Sequence, residues 1–256
     1  MIQTLLRKGP KGGLYTKLFK NFMEAVVLVG GLGKRLIHVV KDIPKPMACV
    51  NGKPFLEYVL KYLAAQGIDR VILAVSYKKE NIMDYFKNEY AGMEIVYSIE
   101  DTPLGTGGGI KKALEYANEP EVFVLNGDTF FDVNLNTMKD FHLSKNADIT
   151  IASKLMHDFD RYGTLDIRED DKKLLSFIEK RPREVGYING GVYIIKRTTL
   201  DLVDKEIFSI EKDFMEEKSL NLNIYAYISD GYFIDIGIPE DYFKAQKDFE
   251  KGNISR

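Results

Sequence analysis

The sequence predicts an α/β fold, a mostly parallel sheet flanked by helices with a smaller mixed-sheet lobe attached. Three observations predict it. Residues 25–29, 71–75 and 122–125 are apolar from end to end, the signature of strands covered on both faces. Stretches of helical period separate them, as at 55–66, where Leu56, Val59, Leu60 and Leu63 share one face. Beyond Asp148 the texture changes to shorter alternating strands, which suits a smaller mixed-sheet lobe.

With 256 residues, 45% of them hydrophobic and 29% charged, the chain can bury one large core, or one core with a lobe. A net charge of −2 gives no basic surplus of the kind that nucleic-acid binding needs. No apolar run approaches the ~18 residues of a bilayer span, and the start lacks a secretory signal; a cytoplasmic protein without membrane insertion is expected. The single cysteine, Cys49, excludes an intramolecular disulfide, and His38, His142 and His157 lack zinc-ligand spacing. Any metal should therefore be held by oxygen. Homo-oligomers are compatible with the sequence, which does not set them.

Taken in chain order, residues 1–22 carry Arg7, Lys8, Lys11, Lys17 and Lys20 without an acid, around a turn-forming cluster of Gly9, Pro10, Gly12 and Gly13. This basic arm is expected to be peripheral, with a short amphipathic helix at 14–22 as its structured alternative. The first strand, 25–29, runs into Gly30-Gly31-Leu32-Gly33-Lys34-Arg35-Leu36. A dinucleotide fingerprint needs a third glycine at Leu36, and a P-loop needs glycine at Leu28 and Ser or Thr at Arg35; both fail. What remains is a strand followed by small residues that let N–H groups approach phosphate, closed by the planar fork of Arg35. About 25 residues separate Gly30 from Pro54, far more than a usual βα connection. Within them Pro44 and Pro46 hold Lys45 on a stiff rail.

Four glycines, Gly105, Gly107, Gly108 and Gly109, lead into a helix expected at 110–117. Such a turn can pass beneath a flat ring or a phosphate, with helix N–H groups to offer. The strand 122–125 ends in Asn126-Gly127-Asp128. In the lobe, strands are expected at 149–154, 164–167, 175–179 and 191–195. A late strand at 232–236 ends near Asp235, and a closing helix spans 239–249. Ligands of open α/β sheets bind at the carboxyl ends of strands, so the glycine loops and Asp128 should meet at one crevice. Asp128 and Asp235, if they converge on phosphates, make a magnesium seat.

In order and spacing, Gly30 to Leu36, Pro44-Lys45-Pro46-Met47, Pro103-Leu104-Gly105-Thr106-Gly107-Gly108, Asn126-Gly127-Asp128, Glu179-Lys180, Asn189-Gly190-Gly191 and Asp235-Ile236-Gly237 resemble the sugar-1-phosphate nucleotidyltransferases. The resemblance covers residues 23–250 and implies a Rossmann-like nucleotide-diphospho-sugar transferase fold, with 23–147 mainly nucleotide-binding, 148–250 mainly sugar-binding and 251–256 a tail. It also implies residue roles. Gly30, Gly31, Gly33, Lys34 and Arg35 would hold a nucleoside triphosphate, with Gly105 and Thr106 at its base. Asp128 and Asp235 would bind Mg²⁺, and Arg35, Lys45 and Asp128 would be catalytic. Gly163, Glu179, Lys180, Asn189 and Gly190 would receive the sugar 1-phosphate. Asp158-Phe159-Asp160-Arg161-Tyr162-Gly163 and the segment from Phe233 to Tyr242 most resemble the D-glycero-α-D-manno-heptose-1-phosphate guanylyltransferases. GTP and that heptose phosphate are thus the expected substrates, for surface-polysaccharide precursors. Transfer to mannose 1-phosphate, uridylyl or thymidylyl transfer to a hexose phosphate, and a non-catalytic nucleotide-sugar-binding subunit are the alternatives. The resemblance includes no hexapeptide-repeat domain, so no attached acetyltransferase is expected.

Overall fold

The computed structural model describes residues 3–8, 14–19, 22–31, 43–178, 180–217 and 221–250. In chain order the elements are β1 (Gln3–Lys8), β2 (Leu14–Phe19), β3 (Glu24–Leu28), β4 (Cys49–Val50), β5 (Lys53–Pro54), α1 (Phe55–Ala65), β6 (Arg70–Val75), α2 (Lys79–Phe86), β7 (Glu89–Tyr90), β8 (Met93–Ile99), α3 (Gly105–Leu114), β9 (Glu121–Asn126), β10 (Thr129–Phe131), α4 (Leu135–Ser144), β11 (Ile149–Phe159), β12 (Thr164–Ile167), β13 (Leu174–Ile178), β14 (Arg183–Lys196), β15 (Ile224–Ile228), β16 (Phe233–Asp235) and α5 (Pro239–Glu250). Short 3₁₀ turns lie at Lys45–Met47 and Thr199–Leu202, and a wide, π-type turn at Ile210–Glu216.

The centre is parallel: β9, β3, β6 and β8 lie side by side. Their continuous apolar runs follow from burial on both faces. Ala25 and Val27 of β3 pack with α1 and α5 through Leu56, Leu60 and Phe249, while Val26 packs on the opposite side with Ile110 of α3 and Phe214. The expected lobe is mixed, as its strands imply, and its strands continue the central sheet. β14 pairs antiparallel with β9 and with β11, and β11 pairs parallel with β15, so ten strands of the described residues form one continuous sheet.

Several expected boundaries move. β11 and β14 run well past 149–154 and 191–195 because residues 153–159 and 183–189 continue as a paired ribbon, whose mixture of exposed, half-buried and buried side chains gives no continuous apolar run. The helix placed at 110–117 begins five residues earlier, with the glycines inside its first turns. Leu14–Phe19 does not form the alternative helix: it pairs antiparallel with Gln3–Lys8. His142 is buried and spans Thr150 Oγ1 at 2.8 Å and Glu121 Oε2 at 2.9 Å, which ties α4 to β9 and β11 and leaves neither ring nitrogen free.

Candidate active site

The two segments that carry the strongest sequence signal meet directly. Gly127 donates its N–H to the Leu28 carbonyl at 2.9 Å, and a Cβ at Gly127 would stand 2.6 Å from Val29 Cγ1 and 2.8 Å from the Leu28 oxygen. Only glycine lets the end of β9 lie this close to the strand that feeds the Gly30 loop. Gly30 rests on Ser76, and Gly31 is exposed, with no described residue within 4 Å of where its Cβ would stand. Gly33, Lys34 and Arg35 lie outside the described residues, as does Glu179.

Beyond Asp128 the chain turns at once into β10, whose ladder with β16 sets Thr129 opposite Asp235. Asp128 and Asp235, more than a hundred positions apart, are thereby brought to one point, and Lys45 fills it. Its Nζ donates to Asp128 Oδ2 at 2.5 Å and to Asp235 Oδ1 at 3.3 Å. The rail that delivers it is Pro44 at φ −60° and ψ 143°, followed by a 3₁₀ turn in which Pro46 is buried. Asp235 Oδ1 also accepts the Gly237 N–H at 2.7 Å.

The electrostatics are those of a compressed pair of acids. Burial and the neighbouring Asp128 charge push the Asp235 carboxyl above its ordinary value, against the pull of Lys45 and the Gly237 N–H. Burial draws the Lys45 ammonium down, but the charges of Asp128 and Asp235 more than offset it and hold it raised. Two carboxylates sharing one cation fit a hard divalent ion that takes few protein oxygens and completes its shell with water and phosphate. Among the described residues no cluster of three or more His, Cys, Asp or Glu offers a richer cage.

Beside this point opens a cleft of about 240 Å³, lined by Thr106, Asn126, Gly163, Lys180, Asn189, Gly190 and Asp235 among others. Its floor is made by glycines that admit large neighbours. A Cβ at Gly190 would stand 2.5 Å from the Phe131 ring, and one at Gly163 would stand 2.5 Å from the Phe177 ring. Gly191, at φ +70°, lies against Asn126, and Asn189 braces this part of β14 by accepting the Gly191 N–H at 3.0 Å while donating to Tyr193 at 2.7 Å.

A match to the family model described as "Nucleotidyl transferase" runs from residue 24 to residue 252. The chain belongs to that family. The nucleotidyl transferase is 52% identical over 229 residues to a D-glycero-alpha-D-manno-heptose 1-phosphate guanylyltransferase of Aneurinibacillus thermoaerophilus, covering 89% of this chain and 99% of the relative. It is 51% identical over 222 residues to a protein of the same name from Campylobacter jejuni, covering 86% and 97%. Among solved structures, HddC from Yersinia pseudotuberculosis complexed with GMP-PN superposes with a TM-score of 0.79 at 38% identity, over 89% of this chain and all of that one.

The nucleotidyl transferase departs from the sequence reading at its second glycine cluster. The N–H groups of Gly107 and Gly108 point to the Phe208 carbonyl at 2.9 and 3.3 Å and are not on offer to a ligand. Cβ atoms there would stand 2.2 Å from the Phe208 ring and 2.1 Å from the Glu206 oxygen, so these glycines let α3 pack against residues 206–208. Gly105, at φ +74°, stays exposed. Thr106 lies in the same cleft as Lys180 and Asn189, its hydroxyl donating to Glu211 at 2.7 Å and accepting the Ile210 N–H at 3.0 Å. The sequence reading missed Arg161, Phe177, Ser209 and Glu211 in that wall. Arg161 belonged to a quoted motif, whereas nothing local marks Ser209 or Glu211. Gly237 was also visible as part of Asp235-Ile236-Gly237; a Cβ there would stand 2.9 Å from Asp235 Oδ1 and 3.1 Å from Lys45 Nζ.

Proposed function

We propose that this protein transfers guanylate from GTP to D-glycero-α-D-manno-heptose 1-phosphate, forming GDP-heptose and releasing pyrophosphate, in the cytoplasm and as a step toward surface polysaccharide. One observation carries the chemistry: Lys45, Asp128 and Asp235 converge at the mouth of a cleft that also holds Lys180, Asn189 and Gly190. Guanine and heptose rest on the near full-length similarity to enzymes of that name and on the GMP-PN bound to a neighbour of the same fold.

In this reading a phosphate oxygen of the sugar 1-phosphate attacks the α-phosphorus of GTP, and the bond to the bridging oxygen of pyrophosphate breaks. A phosphate monoester sheds its second proton near pH ~6, so the nucleophile is ionised and no base is required. That agrees with a chain whose one buried, described histidine, His142, is engaged on both sides away from the cleft. The remaining work is charge management and alignment. Asp128 and Asp235 would hold Mg²⁺, which when bound supplies Lewis-acid stabilisation of phosphate oxygens. Lys45, released from bridging the acids, and Lys180 would screen the approaching anions. Arg35 would stabilise the departing pyrophosphate. Residues 23–147 would serve chiefly the nucleotide and 148–250 the sugar, with Thr106 and Asp235 reaching across that division.

A pyrophosphate-release assay that crosses four nucleoside triphosphates with heptose, mannose and glucose 1-phosphates tests the proposal. Turnover dominated by GTP with the heptose phosphate is expected. Preference for mannose 1-phosphate, or for UTP or dTTP with glucose 1-phosphate, would replace it, and release from no pair would leave a nucleotide-sugar-binding protein.

A further inference from the structure

Arg161 sits in the bend between β11 and β12 and lines the cleft together with Lys180. Its side chain is 30% exposed, so a ligand can reach it. The guanidinium lies over the Tyr162 ring, 5.4 Å from its centroid. Tyr162 in turn packs edge-on against Phe233 of β16 at 5.3 Å. The ring under the cation thus packs on a residue two positions along β16 from Asp235, which lines the same cleft.

Its hydrogen bonds are lopsided. Nη2 donates to Asp241 Oδ2 at 2.6 Å, in the first turn of α5, and to the Tyr162 hydroxyl at 3.4 Å. Nε and Nη1 have no protein partner among the described residues. A guanidinium grips a phosphate through a pair of parallel N–H donors, and both of its two-pronged edges, Nε with Nη2 and Nη1 with Nη2, include Nη2. Nη2 brings one N–H to each edge, and with Asp241 and the Tyr162 hydroxyl both drawing on it neither edge is wholly free.

We infer that Arg161 and Asp241 form a substrate-displaced clasp, in which Arg161 binds the phosphate of the incoming sugar 1-phosphate and Asp241 competes with that phosphate for Nη2. This rests on the sugar-phosphate role proposed for the cleft. Asp241 keeps the guanidinium aimed while the cleft is empty and sets a threshold that a full phosphate dianion exceeds and a neutral sugar does not. Asp241 is a positioning residue, for its side chain bonds Arg161 and among the described residues does not line the cleft.

The test uses the full chain with the Arg161→Gln, Arg161→Lys and Asp241→Asn variants. Initial rates give KM for heptose 1-phosphate and for GTP, and calorimetry gives Kd for heptose 1-phosphate and for free heptose without requiring turnover. Loss of a bidentate charged contact should raise the KM and Kd of the sugar phosphate about tenfold in R161Q, with the GTP KM within about twofold. R161K, which keeps the charge without the fork, should fall between; it stands in for R161Q if the latter does not fold. D241N should move the other way, lowering the sugar-phosphate KM and Kd about threefold. If D241N raises them or leaves them unchanged, or if R161Q or R161K leaves them unchanged, the clasp is wrong and the bridge is a structural tie of α5. Effects equal for free heptose would also overturn it, because the inference concerns the phosphate. Absence of turnover with normal variant-dependent binding would instead count against the proposed reaction alone.

Discussion

At the scale of single residues, the site turns on one ammonium wedged between two carboxylates. Asp128→Asn removes one of two acids proposed to hold the metal, and turnover should fall by ~10²–10³, while chelation of wild type should abolish activity and added Mg²⁺ restore it. Steady-state rates against magnesium concentration check both, and unchanged metal dependence in D128N would remove Asp128 from its role. Gly237→Ala probes the same point from behind. The added methyl must displace Asp235 or Lys45, as their atoms stand 2.9 and 3.1 Å from it, so kcat should drop about tenfold with little change in thermal midpoint. Sequence alone placed Lys45, Asp128 and Asp235 each at the end of a rail or strand. Their meeting depends on the pairing of Thr129 with Asp235, a register across more than a hundred residues that local pattern does not encode. Ser209 and Glu211 escaped notice for the same reason.

At the scale of elements, glycine was the hardest residue to read. Gly107, Gly108 and Gly109 look like a loop because each costs about 0.8–1.0 kcal/mol in a helix relative to alanine. They are nonetheless buried in the first turns of α3, since tertiary contact with residues 206–208 outweighs local preference. Gly108→Ala should gain helix propensity yet lose more to overpacking against the Glu206 carbonyl, for a net destabilisation of about 1–2 kcal/mol. Urea denaturation checks this, and a stabilised variant would mean that the 206–208 segment yields easily. Three of the four central strands were legible because burial on both faces makes them apolar throughout; β8 alternates in burial and was not. The outer parts of β11 and β14 were not, because a ribbon held by backbone pairing needs no apolar side chains. The wide turn at Ile210–Glu216 buries Ile210, Phe214 and Met215, too short a pattern for a period to stand out in the sequence.

At the scale of the whole molecule, the division into a nucleotide half and a sugar half is one of proposed use, since the sheet itself is unbroken. β14 pairs with β9 through residues 192–196 and with β11 along most of its length, stitching both halves into one hydrogen-bonded ladder. Unfolding should therefore be a single cooperative event. Amide-exchange protection in β6 and in β11 should vanish at the same denaturant concentration, and separated midpoints would show two independent units. The class of fold was legible from the alternation of strands and helices, but this continuity was not, because which strands become neighbours depends on crossovers that no local window contains. The clasp of Lys45 by Asp128 and Asp235 has a consequence in time as well as in space. Its three members lie 83 and 190 positions apart along the chain, and the last to leave the ribosome is Asp235. A growing chain carrying the first glycine loop and Asp128 still lacks half of the proposed metal seat until β16 docks on β10, so competence to spend a nucleoside triphosphate arrives only when the closing strand does.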